Sequence, residues 1–100
     1  MAKSIMQTDK CVCYLCREPA NYNDPLDKHH IFGGALRKKS EHYGLTVYLH
    51  HSKCHIFEPE AVHNNAEICR KLQADAQRAA MKKYGWTVED FRAEFGKNYL

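Results

Sequence analysis

Long aliphatic runs are scarce in the first, histidine-rich half of this 100-residue chain. A single domain of that size buries a modest fraction of its surface and benefits from a staple, for which a structural metal is one source. No apolar segment resembles a signal peptide or a membrane span, so neither export nor membrane insertion is expected, and the thiols are expected to stay reduced in a cytoplasm. The cysteine count is odd, five. A disulfide scaffold would leave one thiol unpaired, so metal ligation outranks disulfides. Strong charge of either sign is also missing: a net +3, with Lys and Arg spread along the chain, permits a nucleic-acid partner without demanding one. There is no internal repeat and no low-complexity tract.

Residues 1–10 show no clear period and read as a flexible N-terminal arm before a single domain spanning 11–100. From Cys11 the chain is punctuated by cysteines, Pro19, Asn21, Asn23, Asp24 and Pro25, which predicts a knuckle and a loop. A short strand is expected over 26–32, ending at Gly33-Gly34, and a second over 45–49, where β-branched and aromatic residues follow Gly44. Between them, 35–43 carries Arg37, Lys38 and Lys39 and reads as an exposed connection. The second half is helical: Ile68, Leu72, Ala76 and Ala79 recur at helical spacing, and Gly85 ends that helix. Thr87 is then the expected N-cap of another helix, with Glu89 and Asp90 in its first turn, Phe91 and Phe95 on one face and Gly96 as the stop. Knuckle, hairpin, helix, helix is an α+β order.

Cys13-Tyr14-Leu15-Cys16 is a C-x-x-C pair, and His51-Ser52-Lys53-Cys54 repeats the two-residue gap. Such a gap lets a tight turn aim both side chains at one ion, and four thiolate or imidazole ligands close a tetrahedral zinc site without an open position, which makes it structural. The expected set is Cys13, Cys16, His51 and Cys54. His50 can replace His51, and Cys11 is a further competitor.

Among the histidines outside that set are His29, His30, His55 and His63. Buried neutral imidazoles each need hydrogen-bond partners, so two adjacent ones followed by Ile-Phe-Gly-Gly are hard to assign to core packing. Neighbours at the end of a strand point in different directions, so one can hold a metal while the other faces a substrate. That division suits hydrolysis of a phosphodiester, which needs a base for water and a cation for the phosphate charge.

Lys28-His29-His30-Ile31, preceded by a C-x-x-C and followed by Cys54-His55, resembles the HNH, or His-Me finger, endonucleases over about residues 13–65. The text around Gly33-Gly34, Val47-Tyr48-Leu49, Ala61-Val62-His63 and Phe95-Gly96-Lys97-Asn98-Tyr99-Leu100 is further similar to small HNH-like proteins of bacteriophages and prophages. The resemblance implies a ββα-metal, treble-clef-like fold with a zinc knuckle, and cleavage of DNA in phage DNA processing or recombination within a bacterial host cytoplasm. It implies His29 as a ligand of a catalytic ion, which could be Mg, Mn, Ni or Zn, His30 as the general base, and His55 as a second ligand. The next ligand of the family pattern falls on Pro59. His63 is the substitute, eight residues further on, and a continuous helix would carry it ~12 Å away, so an interruption near Glu58-Pro59-Glu60 is required; Asn64, Asn65 and Glu58 are alternatives. The family's middle asparagine aligns near Thr46 and is absent, so another group must orient His30.

Three function classes follow. A DNA nuclease accounts for His29, His30, the zinc pairs and the basic residues together, with Arg37, Lys38 and Lys39 touching phosphates. A zinc-stapled nucleic-acid or protein adaptor uses the knuckle and leaves the histidine pair idle, and a metal sensor leaves the exposed Lys and Arg idle. One active site cuts one strand, so a duplex break calls for two encounters or a homodimer, with the helix over 66–84 as its interface.

Overall fold

Val47, Tyr48 and their neighbours suit a pleated, half-buried surface, and the chain builds its sheet there. Strand β1, Leu26–His30, pairs antiparallel with β2, Thr46–His50, with Leu26 opposite His50 and His30 opposite Thr46. The computed structural model describes residues 4–7, 11–20, 22–51 and 65–100. Within them the domain is α+β: the hairpin encloses a 3-10 turn, Gly34–Leu36, and helix α1, Arg37–His42, and is followed by α2, Ala66–Tyr84, and α3, Val88–Phe95. No helix among the described residues is long and apolar enough to cross a membrane.

β1 stops two residues before its expected end because Ile31 and Phe32 turn into the core, where both are buried. The Ile31 N–H still donates to the Leu45 carbonyl at 3.1 Å, and the Phe32 N–H to the Ser40 hydroxyl at 3.3 Å. The connection 35–43 is not a simple link, since it contains α1. That helix is six residues long and buries only Ser40, so it has no apolar stripe to announce it. Ser40 substitutes polar contacts for packing: its hydroxyl donates to the Leu45 carbonyl at 2.5 Å.

Residues 4–7, part of the expected arm, lie along β2. The Ser4 hydroxyl donates to the Thr46 carbonyl at 2.5 Å, the Ile5 N–H donates to the Gly44 carbonyl, and the Gln7 side chain accepts the Tyr48 N–H at 2.8 Å. On the same strand the Tyr48 carbonyl accepts the Tyr14 N–H. β2 is therefore bonded on the edge that β1 does not cover, which removes an open template for pairing with other chains.

The helices follow their sequence signals. Asn65 caps α2 by accepting the Glu67 and Ile68 N–H groups, Gly85 ends it at φ 68°, and Thr87 and Asp90 form a reciprocal capping box that starts α3. Leu72, Ala76 and Ala80 of α2 and Phe91 and Phe95 of α3 join Ile31, Phe32, Leu45, Val47 and Leu49 in one core. Phe32 sits at its centre, with ring centroids 4.7 Å from Phe95 and 4.8 Å from Tyr99. The exposed positions of α2 include Glu67, Arg70, Lys71, Arg78, Lys82 and Lys83; charge dominates that face.

Gln77 is the polar exception in this core. It is fully buried on α2, yet its amide donates to Asn98 Oδ1 at 2.8 Å and its carbonyl oxygen accepts the Tyr99 N–H at 2.6 Å. Both bonds pin the segment after α3 to α2. Gln77→Ala should cost about 2 kcal/mol, because it removes two hydrogen bonds and leaves the Tyr99 N–H without its acceptor. A urea midpoint unchanged from wild type would show that the latch contributes nothing.

Candidate functional site

The Cys13–Cys16 turn is built by backbone bonds that reverse the chain tightly. The Cys13 N–H donates to the Glu18 carbonyl, the Arg17 N–H returns to the Cys13 carbonyl, and Val12 and Pro19 bridge the base of the turn. Arg17 takes the left-handed conformation, φ 65°, which few side chains adopt without a compensating constraint. Its guanidinium lies 4.8 Å over the Tyr14 ring. Tyr14 in turn donates its hydroxyl to Asp75 of α2 at 3.2 Å, and burial, followed by the Asp75 charge, pushes that hydroxyl above its ordinary pKa.

Across from this turn stands His50, the last residue of β2. The ligand atoms of Cys13, Cys16 and His50 all lie within 4.8 Å of one another, Cys13 and His50 being buried and Cys16 half-buried. Ligands on a tetrahedral zinc at ordinary bond lengths stand roughly 3.5–3.8 Å apart, so these three are close enough to hold a metal ion. The hydrogen bonds of His50 fix which nitrogen it offers. Its Nε2 is 2.8 Å from the Pro19 carbonyl; a carbonyl only accepts, so Nε2 carries the proton and Nδ1 carries the lone pair. Nδ1 is the atom that faces Cys16 Sγ, at 3.2 Å. A ring N–H held by a backbone carbonyl is the usual way a ligating histidine is oriented.

His51, the expected ligand, goes elsewhere: its Nδ1 lies 2.5 Å from Asp27 Oδ2. The physical reason is the strand itself, since successive side chains on β2 and at its end leave on opposite sides. His50 and not His51 therefore meets the thiols. Cys54, the fourth expected ligand, lies outside the described residues, as do His55, His63, Asn64 and Glu58. Asn65 is engaged in capping α2.

The adjacent histidines sit at the other end of the hairpin. β1 separates them as its pleat requires: His29 is buried opposite Val47 and shares a face with Asp27, while His30, opposite Thr46, shares the other face with Lys28. Four residues of β2 separate the register positions of His50 and His30, or ~13 Å, so the thiol cluster and the histidine pair are distinct places.

Beside His30 stands Glu41 of α1. Lys28 Nζ donates to both Glu41 oxygens, at 2.9 and 2.8 Å, and His30 Nε2 lies 3.6 Å from Oε1. The Lys28 hydrogen bond, more than any other cause, holds the Glu41 carboxyl below the usual carboxylate range. The pair's contribution is thus present above an ordinary carboxylate pKa and fades as pH falls through the depressed one. His50 was in view from the sequence as the alternative to His51, whereas nothing in the sequence pointed to Asp27 or Glu41.

Of the basic triplet, Arg37 and Lys38 are exposed and make no ion pair among the described residues, whereas Lys39 donates to the Glu94 carbonyl at 2.8 Å and pairs with its carboxylate at 3.3 Å. Lys39 serves to tie α1 to α3. Compared with protein-family models, with curated proteins and with solved structures, the chain matches none.

Purified protein should hold one metal ion per chain through Cys13, Cys16 and His50 Nδ1. His50→Ala or Cys16→Ser should release it and lower the melting temperature, since a structural ion contributes folding free energy directly. Elemental analysis finding a folded, metal-free chain at neutral pH would overturn the assignment.

Proposed function

We propose that this chain is a metal-dependent DNA endonuclease of the HNH kind, stapled by a structural zinc at Cys13, Cys16 and His50, with Cys54 as the fourth ligand. The observation that carries the reading is the splitting of His29 and His30 onto opposite faces at one end of a two-stranded hairpin. His29 is on the buried side with Asp27, and His30 is half-buried beside a carboxylate. One imidazole can then hold an ion while its neighbour faces a substrate, the division that hydrolysis uses.

In this reading His29, with His55 and His63, holds a divalent ion, which when bound neutralises phosphate charge and eases departure of the ester oxygen. His30 takes a proton from a water molecule, whose oxygen then attacks phosphorus. The P–O ester bond breaks, and the leaving oxygen takes its proton from solvent. Arg37 and Lys38 flank this end of the hairpin from α1 and supply phosphate contacts. The adaptor reading keeps one specific support, namely that the thiol cluster stands apart from His29 and His30 and does not depend on them.

Supercoiled plasmid with a panel of divalent metals separates the two readings. His30→Ala should abolish nicking while DNA and metal binding persist; His29→Ala should weaken metal binding, with partial recovery in excess metal. Nicking by His30→Ala at the wild-type rate would overturn the mechanism. DNA binding by the wild type without cleavage under any metal would favour the adaptor.

Neutralising Arg37 and Lys38 together should weaken DNA binding and reduce the slope of log affinity against log salt by roughly 1–2. An unchanged slope in a salt titration would return both to a solvated helix surface.

A further inference from the structure

A base that takes a proton from water must be held in one tautomer and one orientation, and the sequence supplies no asparagine near Thr46 to do it. The cross-strand neighbour does not act in its place. Thr46 stands opposite His30, yet its buried hydroxyl oxygen has no hydrogen-bond partner among the described residues. The polar group that does approach the ring comes from α1.

We propose that Glu41, braced by Lys28, is the positioning residue for His30. The inference rests on the nuclease reading of the histidine pair and names the group that reading lacks. Lys28 and His30 leave the same face of β1, two residues apart, and both reach the Glu41 carboxylate. Lys28 grips both oxygens, so the carboxylate cannot swing away, and Oε1 is left 2.9 Å from Lys28 Nζ and 3.6 Å from His30 Nε2. Bonds of this kind are commonly long before substrate binds and tighten with it.

A carboxylate at Nε2 accepts the proton there, which leaves the lone pair on Nδ1 as the atom that receives the proton from water. When that proton arrives the ring becomes an imidazolium, and the neighbouring carboxylate stabilises the new charge. The same logic operates wherever a buried acid orients a catalytic histidine. Lys28 has the complementary role of keeping Glu41 ionised and in place.

The test uses the full chain with supercoiled plasmid, comparing wild type, Glu41→Ala and Glu41→Gln, with thermal melts to confirm folding. Glu41→Ala should lower kcat about 10–100-fold, the usual cost of losing an orienting partner, with KM within about twofold. Glu41→Gln keeps an acceptor for Nε2–H but not the charge, so it should recover part of kcat. Should Glu41→Ala fail to fold, the near-isosteric Gln variant carries the comparison, with kcat between wild type and the His30→Ala background. Two-bond proton–nitrogen spectra give a readout that activity does not: His30 should be the Nε2–H tautomer in wild type and in Glu41→Gln, and a mixture in Glu41→Ala. Wild-type kcat in Glu41→Ala, or a His30 tautomer indifferent to Glu41, would overturn the inference and leave the nuclease reading standing. No nicking by the wild type under any metal would overturn both.

Discussion

A two-stranded hairpin alone in water is marginal, because it has two open edges and too little surface to bury. Here the inner strand is secured on both sides. β1 occupies one edge of β2, while Ser4, Gln7 and the Tyr14 N–H occupy the other. Val47 and Leu49 leave one face of β2 into the core, and Thr46 and His50 are buried on the other. The turn that carries the two thiols is thereby hydrogen-bonded to the same strand that supplies His50, so an ion bound there would couple its own binding to the ordering of the hairpin. Loss of the ion should for that reason be felt at His29 and His30 as well, although they lie at the far end.

The same strand separates two chemistries. At one end a carbonyl-held imidazole and two thiols form a largely buried cluster close enough to hold a metal ion. At the other, Lys28, His30 and Glu41 gather on one side of β1, and His29 is buried on the other. Placing the two groups at opposite ends of a rigid strand lets each have its own solvent exposure.

Much of the framework was legible. α2 and α3, their stops at Gly85 and Gly96 and the Thr87 cap follow from periodicity and capping chemistry, because these signals are local. The strands were legible to within two residues. α1 was not, since a six-residue helix whose one buried member is Ser40 has no hydrophobic period to detect. Nor was the choice between His50 and His51, which depends on where a strand ends and hence on the parity of a single residue. Gln77 was hidden for a related reason: a glutamine among alanines reads as the solvent face until its partners, Asn98 and Tyr99, arrive from more than twenty residues away. Asp27 and Glu41 gave no sign because carboxylates matter only once their neighbours are known. The assignments to Cys54, His55 and His63 concern residues outside those described.

The short helix that escaped notice is what connects core packing to the histidine pair. Three consecutive residues of α1 point about 100° apart around its axis, and each does something different. Lys39 reaches outward to Glu94 and fastens the helix to α3. Ser40 points inward and binds the Leu45 carbonyl where the hairpin closes, while receiving the Phe32 N–H. Glu41 faces β1 and meets Lys28 and His30. Phe32 follows His30 by two residues and packs against Phe91 and Phe95 of that same α3. The imidazole and its carboxylate are thus carried on two elements that are each anchored to α3, one through an aromatic contact and the other through an ion pair. A change in how α3 sits would move both together and preserve their spacing, whereas cutting the Lys39 tether would move Glu41 alone.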